Sequence, residues 1–165
     1  QTKPKNDQTG TVERRDDGAL VLDGRFVIRG EGTTEKPYVV PWDLLVSAQD
    51  TYQPRLGKTE VPERIAMLDG KQVKITGYIA FPLMVSQANE LLLMMNQWDG
   101  CCVGVPPTPY DGIEVRLSRA VPATSGINVF HYGSITGTFK VDPYIVNNWL
   151  VGLFMIEEAS LEMEM

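Results

Sequence analysis

The chain has 165 residues, 43% hydrophobic and 22% charged, which suits one globular domain with room for a buried core. Its formal net charge of -6 weighs against a nucleic-acid partner, because affinity for a phosphate backbone is carried by lysine and arginine. No apolar run approaches the roughly 18 residues that a membrane-spanning helix needs, so such a helix is excluded.

Residues 1–17, QTKPKNDQTGTVERRDD, are polar and read as a disordered lead, able to tether the domain to a membrane anchor. A start at Gln1 fits a mature secreted chain freed of its signal peptide, with an excised fragment as the plain alternative. GALVLDGRFVIRG (18–30) holds two short apolar runs around Asp23-Gly24, a hairpin signal. In KPYVVPWDLLVS, Pro37 and Pro41 rule out a central strand or a helix interior. Trp42, Leu44 and Leu45 then pack this segment on the domain, with a helical turn from about Trp42. Residues 49–61 read as an exposed loop. VPERIAMLDG supplies one short helix, with Pro62 at its start, Ile65 and Leu68 on one face and Gly70 as its stop.

Strands follow in KQVKITGYIAFPL (71–83), ELLLMMN (90–96), GIEVRLS (112–118), GSITGTFKVD (133–142) and the terminal stretch from Leu150 to Glu164. KITGYI and SITGTF each place a glycine inside a strand, where it marks a bulge or a sharp bend. Five strands bent in this way predict a mainly β fold: a five-stranded Greek-key barrel of the OB type. The expected organisation is a single domain over 18–165, with 18–70 as an extension carrying a β-hairpin and one short helix, and 71–165 as the barrel.

The least ordinary stretch is GCCVGVPPTPYDG (100–112), which holds both cysteines of the chain. Adjacent residues of a strand face opposite sides, so one thiol is expected toward the barrel and the other outward. Three states stay open: two buried free thiols, a vicinal disulfide of an oxidising compartment, or a metal or redox site. Pro106, Pro107 and Pro109 stiffen the segment into polyproline geometry, and Asp111-Gly112 turns the chain into the next strand. Trp98 just upstream is an amphipathic anchor of the kind found at interfaces.

Three stretches resemble a bacterial family of uncharacterised periplasmic proteins, a domain of unknown function. They are MLDGKQVKITGYIAFPL, LLLMMNQWDGCCVGVPPTPYDGIEVRL, and GSITGTFKVD with GLFMIEEASLEM. Members carry Leu-x-Gly-Lys-x-Val-x-Ile-x-Gly-Phe, then Gly-Ala-Cys-Ile-His-Val-Pro-Pro-Pro-Pro-Asn-Gln, then Thr-Gly-Thr-Leu. On that match Cys102 takes the family cysteine, and Pro106 and Pro107 take the first two prolines. Gly104 stands at the family's histidine, and Tyr110-Asp111 replace Asn-Gln. The resemblance implies export to the periplasm, an OB-like barrel, and association with metal or lipoprotein ABC-type transport systems. The missing histidine removes one ligand of a Cys-x-His metal site, for which Cys101 is the replacement at hand.

A soft metal ion held here would use Cys101, Cys102 and His131, with Met94 or Met95 and Asp99 as further donors. His131 is the only histidine, and its plain reading is a packed surface residue beside Phe130 and Tyr132. No Cys-x-x-Cys or His-x-x-x-His motif is present to complete a zinc site. Neither a nucleophile elbow nor a phosphate-cradling glycine loop occurs. The expected function is therefore a non-enzymatic extracytoplasmic binding or accessory module. It presents Trp98, Asp99, Cys101, Cys102, Pro106, Pro107, Pro109, Tyr110 and Asp111 to a partner protein or small ligand. The alternative is a metal-binding or thiol-redox protein built on Cys101 and Cys102.

Overall fold

The computed structural model describes residues 10–123 and 130–164. Of the expected polar lead, residues 1–9 lie outside the described residues, whereas Val12–Arg14 form a strand, β1. It pairs antiparallel with β2 (Leu20–Leu22), which pairs in turn with β3 (Phe26–Ile28). The lead is ordered here because β2 otherwise presents an open edge, and because Asp23 Oδ1 accepts the Thr11 N–H at 3.0 Å. Asp23 and Gly24 both take positive φ, 51° and 69°, and the Arg25 N–H returns to the Leu22 carbonyl. This is the tight turn that the Asp-Gly dipeptide predicts.

The extension continues through β4 (Tyr38–Val39), α1 (Trp42–Val46), a 3-10 turn over Ser47–Asp50, and the short strands β5 (Tyr52–Gln53) and β6 (Lys58–Thr59). Tyr52 is buried, so the stretch expected as a wholly exposed loop is pinned to the core through one aromatic ring. The helix α2 (Glu63–Ala66) starts after Pro62 as expected. Its Arg64 is buried and donates to Asp23 Oδ2 at 3.0 Å, to Ser47 Oγ at 3.0 Å and to the Ser47 carbonyl at 3.2 Å. One cation thus ties the hairpin turn to α2 and to the segment after α1.

Five strands make the barrel: β7 (Gln72–Ala80), β8 (Gln87–Met94), β9 (Gly112–Pro122), β10 (His131–Val146) and β11 (Trp149–Met163). Their ring order is β7-β8-β9-β11-β10, closed by pairing of β10 with β7. All these pairings are antiparallel except β9 with β11. That connectivity is the Greek key of an OB-type barrel. Val73, Ile75 and Ile79 of β7, Leu91 and Leu93 of β8, and Ile113 and Val115 of β9 alternate inward. They merge with Leu22, Leu44, Leu45, Ile65 and Leu68 of the extension into one continuous buried cluster.

The two glycine bends are where closure needs them. At Gly77 the neighbour of β7 changes from β4 to β8, and a Cβ there would strike the Met94 carbonyl. At Gly137 the register against β11 shifts between Thr136 and Thr138, and a Cβ would meet the Glu157 carbonyl. β10 and β11 run on together to a turn at Asn147-Asn148, both with positive φ, leaving Tyr144, Ile145, Trp149 and Val151 exposed. Among the described residues no helix is long and apolar enough to cross a membrane.

Candidate functional site

The connection between β8 and β9 is a small hairpin of its own and does not extend β8. The Val105 N–H donates to the Gln97 carbonyl at 2.8 Å and the Asp99 N–H to the Val103 carbonyl at 2.9 Å, with Trp98 bridged to Gly104. At its tip one oxygen, Asp99 Oδ1, accepts the backbone N–H groups of Cys101 (2.8 Å), Cys102 (2.8 Å) and Val103 (3.0 Å). These bonds favour the ionised carboxylate and hold the Asp99 pKa below its ordinary value. Gly100 and Gly104 supply positive φ, 92° and 98°, on either side of the cysteines.

Cys101 and Cys102 are both exposed and are joined as a vicinal disulfide, with Cα atoms 3.8 Å apart. The expectation of one inward and one outward thiol on a strand is corrected by this turn. β8 ends at Met94, and the Asp99 carboxylate gathers the following N–H groups into a tip that points away from the core. Joined to each other, the sulfurs offer no thiolate. Among the described residues no group of three or more His, Cys, Asp or Glu is placed to hold a metal ion. His131 opens β10 opposite Ile79 and sits edge-on to Phe81, with ring centroids 5.6 Å apart. Met94 is fully buried and Met95 exposed.

The proline segment is a strap held at both ends. The Met95 N–H donates to the Asp111 carbonyl, while Asp111 Oδ1 accepts from Thr108 N at 2.6 Å and Thr108 Oγ1 at 3.0 Å. The Tyr110 O–H donates to the Tyr52 carbonyl at 2.7 Å, and burial raises both tyrosine pKa values. Pro106 is exposed, whereas Pro107 and Pro109 are half-buried. Tyr110 and Asp111 therefore brace the loop internally.

What the loop builds is a groove of about 410 Å³ on the outer face of β8 and β9. Trp98 and Gly100 line it from the cysteine hairpin, and Phe81, Pro82 and Leu83 from the connection between β7 and β8. Ala80, Leu92, Glu90, Glu114 and Arg116 come from the strands. Trp98 Nε1 is buried and has no hydrogen-bond partner among the described residues. Arg116 pairs with Glu157 at 3.8 Å, while the carboxylates of Glu90 and Glu114 form no ion pair or hydrogen bond among the described residues. Of the expected site residues only Trp98 lines the groove; Asp99, Cys101 and Cys102 form the tip that carries it. Phe81, Glu90, Leu92, Glu114 and Arg116 were missed. One signal was present: the uninterrupted run Leu91-Leu92-Leu93 must place Leu92 on the outer face, where an apolar side chain calls for cover.

The family model for a protein of unknown function, DUF3299, matches residues 39–162. The chain belongs to the DUF3299 family. A crystal structure of a DUF3299 protein from Pseudomonas aeruginosa PAO1 is similar at 22% sequence identity and a TM-score of 0.46, covering 74% of this chain and 80% of that one. No curated protein matches the chain. The cysteine hairpin, its groove and all of the barrel but the last residue of β11 fall within the DUF3299 segment, whereas β1, β2 and β3 precede it.

Proposed function

We propose that this DUF3299 protein is an extracytoplasmic binding or accessory module whose site is the groove between the cysteine hairpin and the outer face of β8 and β9. The observation that carries the reading is a groove lined by Trp98 and Phe81, from two different loops, together with Leu92, an apolar side chain among the charged residues Glu90, Glu114 and Arg116 of that face. The second and third strands of an OB barrel, with the loop joining its first two, form the surface that such barrels use for ligands; this is an analogy of fold. An unpaired buried N–H costs about 1–3 kcal/mol. A loop shift that turns the Trp98 indole toward an acceptor on the ligand offsets that cost. The exposed disulfide supports an oxidising compartment.

The test is titration of the protein with a panel of acetylated dipeptides and disaccharides, following the Trp98 indole N–H resonance assigned through Trp98→Phe. A saturable shift is expected from at least one class, and Leu92→Trp, which fills the groove, should abolish it. Absence of any saturable shift, or a shift indifferent to Leu92→Trp, overturns the reading.

A further inference from the structure

The groove does not end at β9. A second depression of about 260 Å³, lined by Glu114, Asp142, Tyr144 and the stretch 152–155, adjoins it at the shared Glu114. Along this track both depressions join aromatic rings to carboxylates: Phe81 and Trp98 with Glu90 and Glu114 in the first, Tyr144 with Glu114 and Asp142 in the second. Glu90, Glu114 and Asp142 have no ion-pair partner among the described residues. Among the residues lining the two depressions the one cation is Arg116, which lies opposite Glu90 and pairs with Glu157 at 3.8 Å; Lys140 lies nearby, beside Met155 one strand beyond Glu114. Counting Glu90, Glu114, Asp142 and Glu157 against these two, the face carries a net negative charge, in keeping with the -6 of the whole chain.

Spacing narrows the ligand. Glu90 is opposite Arg116 and Leu92 opposite Glu114, so Glu90 and Glu114 are diagonal neighbours on adjacent strands, about 7–8 Å apart. An extended chain rises about 3.3 Å per residue, so its alternate side chains, on one face, repeat at about 6.6 Å. We propose that the track takes an extended basic segment of a partner protein, with lysine or arginine at alternate positions. Successive cationic heads meet Glu90 and Glu114, and their aliphatic stems lie on Leu92 and against the rings of Trp98 and Phe81.

The inference rests on the groove being a binding site, and the experiment separates the two. The acetylated, amidated peptide Lys-Ala-Lys-Ala-Lys-Ala is titrated into the intact protein by calorimetry and by the Trp98 indole resonance. Controls are its glutamate counterpart and a peptide with three lysines at every third position. Saturable binding of the alternating lysine peptide is expected, weakening as salt rises, and at least tenfold weaker for the Glu90→Gln/Glu114→Gln double variant, whose changes are confined to exposed side chains. The third-position peptide should bind several-fold less well. Equal affinity for the glutamate peptide, or unchanged affinity in the double variant, overturns the proposal. If neutral probes shift Trp98 and the lysine peptide does not, the basic ligand falls and the groove stands; if no probe shifts it, both fall.

Discussion

Asp99 shows how one short side chain shapes a site. Its Oδ1 takes three consecutive N–H groups, so the tip of the cysteine hairpin is organised around a carboxylate and needs no packed core of its own. Because those bonds depress the Asp99 pKa in the folded protein, their stabilisation is fully present above the ordinary aspartate value. It is lost as pH falls through the lowered one. The protection of the 101–103 amides, taken as exchange relative to the intrinsic rate at each pH, should thus stay constant from neutral pH down to the ordinary aspartate range and fall only below about pH 4. Asp99→Asn keeps an acceptor without the charge and should remove the acid transition; Asp99→Ala should leave the tip open at every pH. An unchanged acid profile in Asp99→Asn would assign the transition to another group. The turn was not read from the sequence, which placed the cysteines on a strand, although Asp99-Gly100 is a turn dipeptide. That the carboxylate would serve three amides was not legible there, because such bonds depend on a backbone path that residue types alone do not specify.

The strands were read from alternation, and the bends from two glycines. Both worked because a strand buries every second side chain and a glycine marks where two backbones come too close for a Cβ. Gly77→Ala forces its methyl group onto the Met94 carbonyl, which cannot move without disturbing β8, and should cost about 1–3 kcal/mol by urea unfolding. Gly152→Ala, with open space around the same position on β11 and no positive φ, should change stability by less than about 0.5 kcal/mol. Equal effects of the two substitutions would mean that the bend at Gly77 is not sterically imposed. The element that sequence reasoning misplaced was the end of β8. The strand was expected over 90–96, through Met95 to Asn96, but it ends at Met94, and Met95 is exposed where the chain has already begun its turn.

At the scale of the whole molecule, extension and barrel share a single core, and Arg64 is buried at their side of it with Asp23 as its buried carboxylate partner. Removing one member of such a pair leaves the other charge unpaired in a dry place. Arg64→Met should therefore cost about 3–5 kcal/mol and lower one cooperative transition, seen alike by far-ultraviolet dichroism and tryptophan fluorescence. Two separate transitions in the native protein would show that the extension folds apart from the barrel. Nothing in PERIAM marks that arginine as buried, since charged side chains are ordinarily exposed and its partners lie 17 and 41 residues away.

By itself the sequence determined that this chain is mainly β, where its barrel strands lie, that glycine bends close them, and that the segment around Trp98 and the cysteines is the unusual one. Side-chain period, turn dipeptides and φ-restricted residues are local properties, and they write themselves into consecutive positions. The tertiary structure alone decided that β9 and β11 lie parallel, that Phe81, Trp98 and Leu92 line one groove, and that Glu90 and Glu114 are diagonal neighbours on it. Those facts follow from how distant strands register when the sheet closes on itself, and no run of neighbouring residues carries that information.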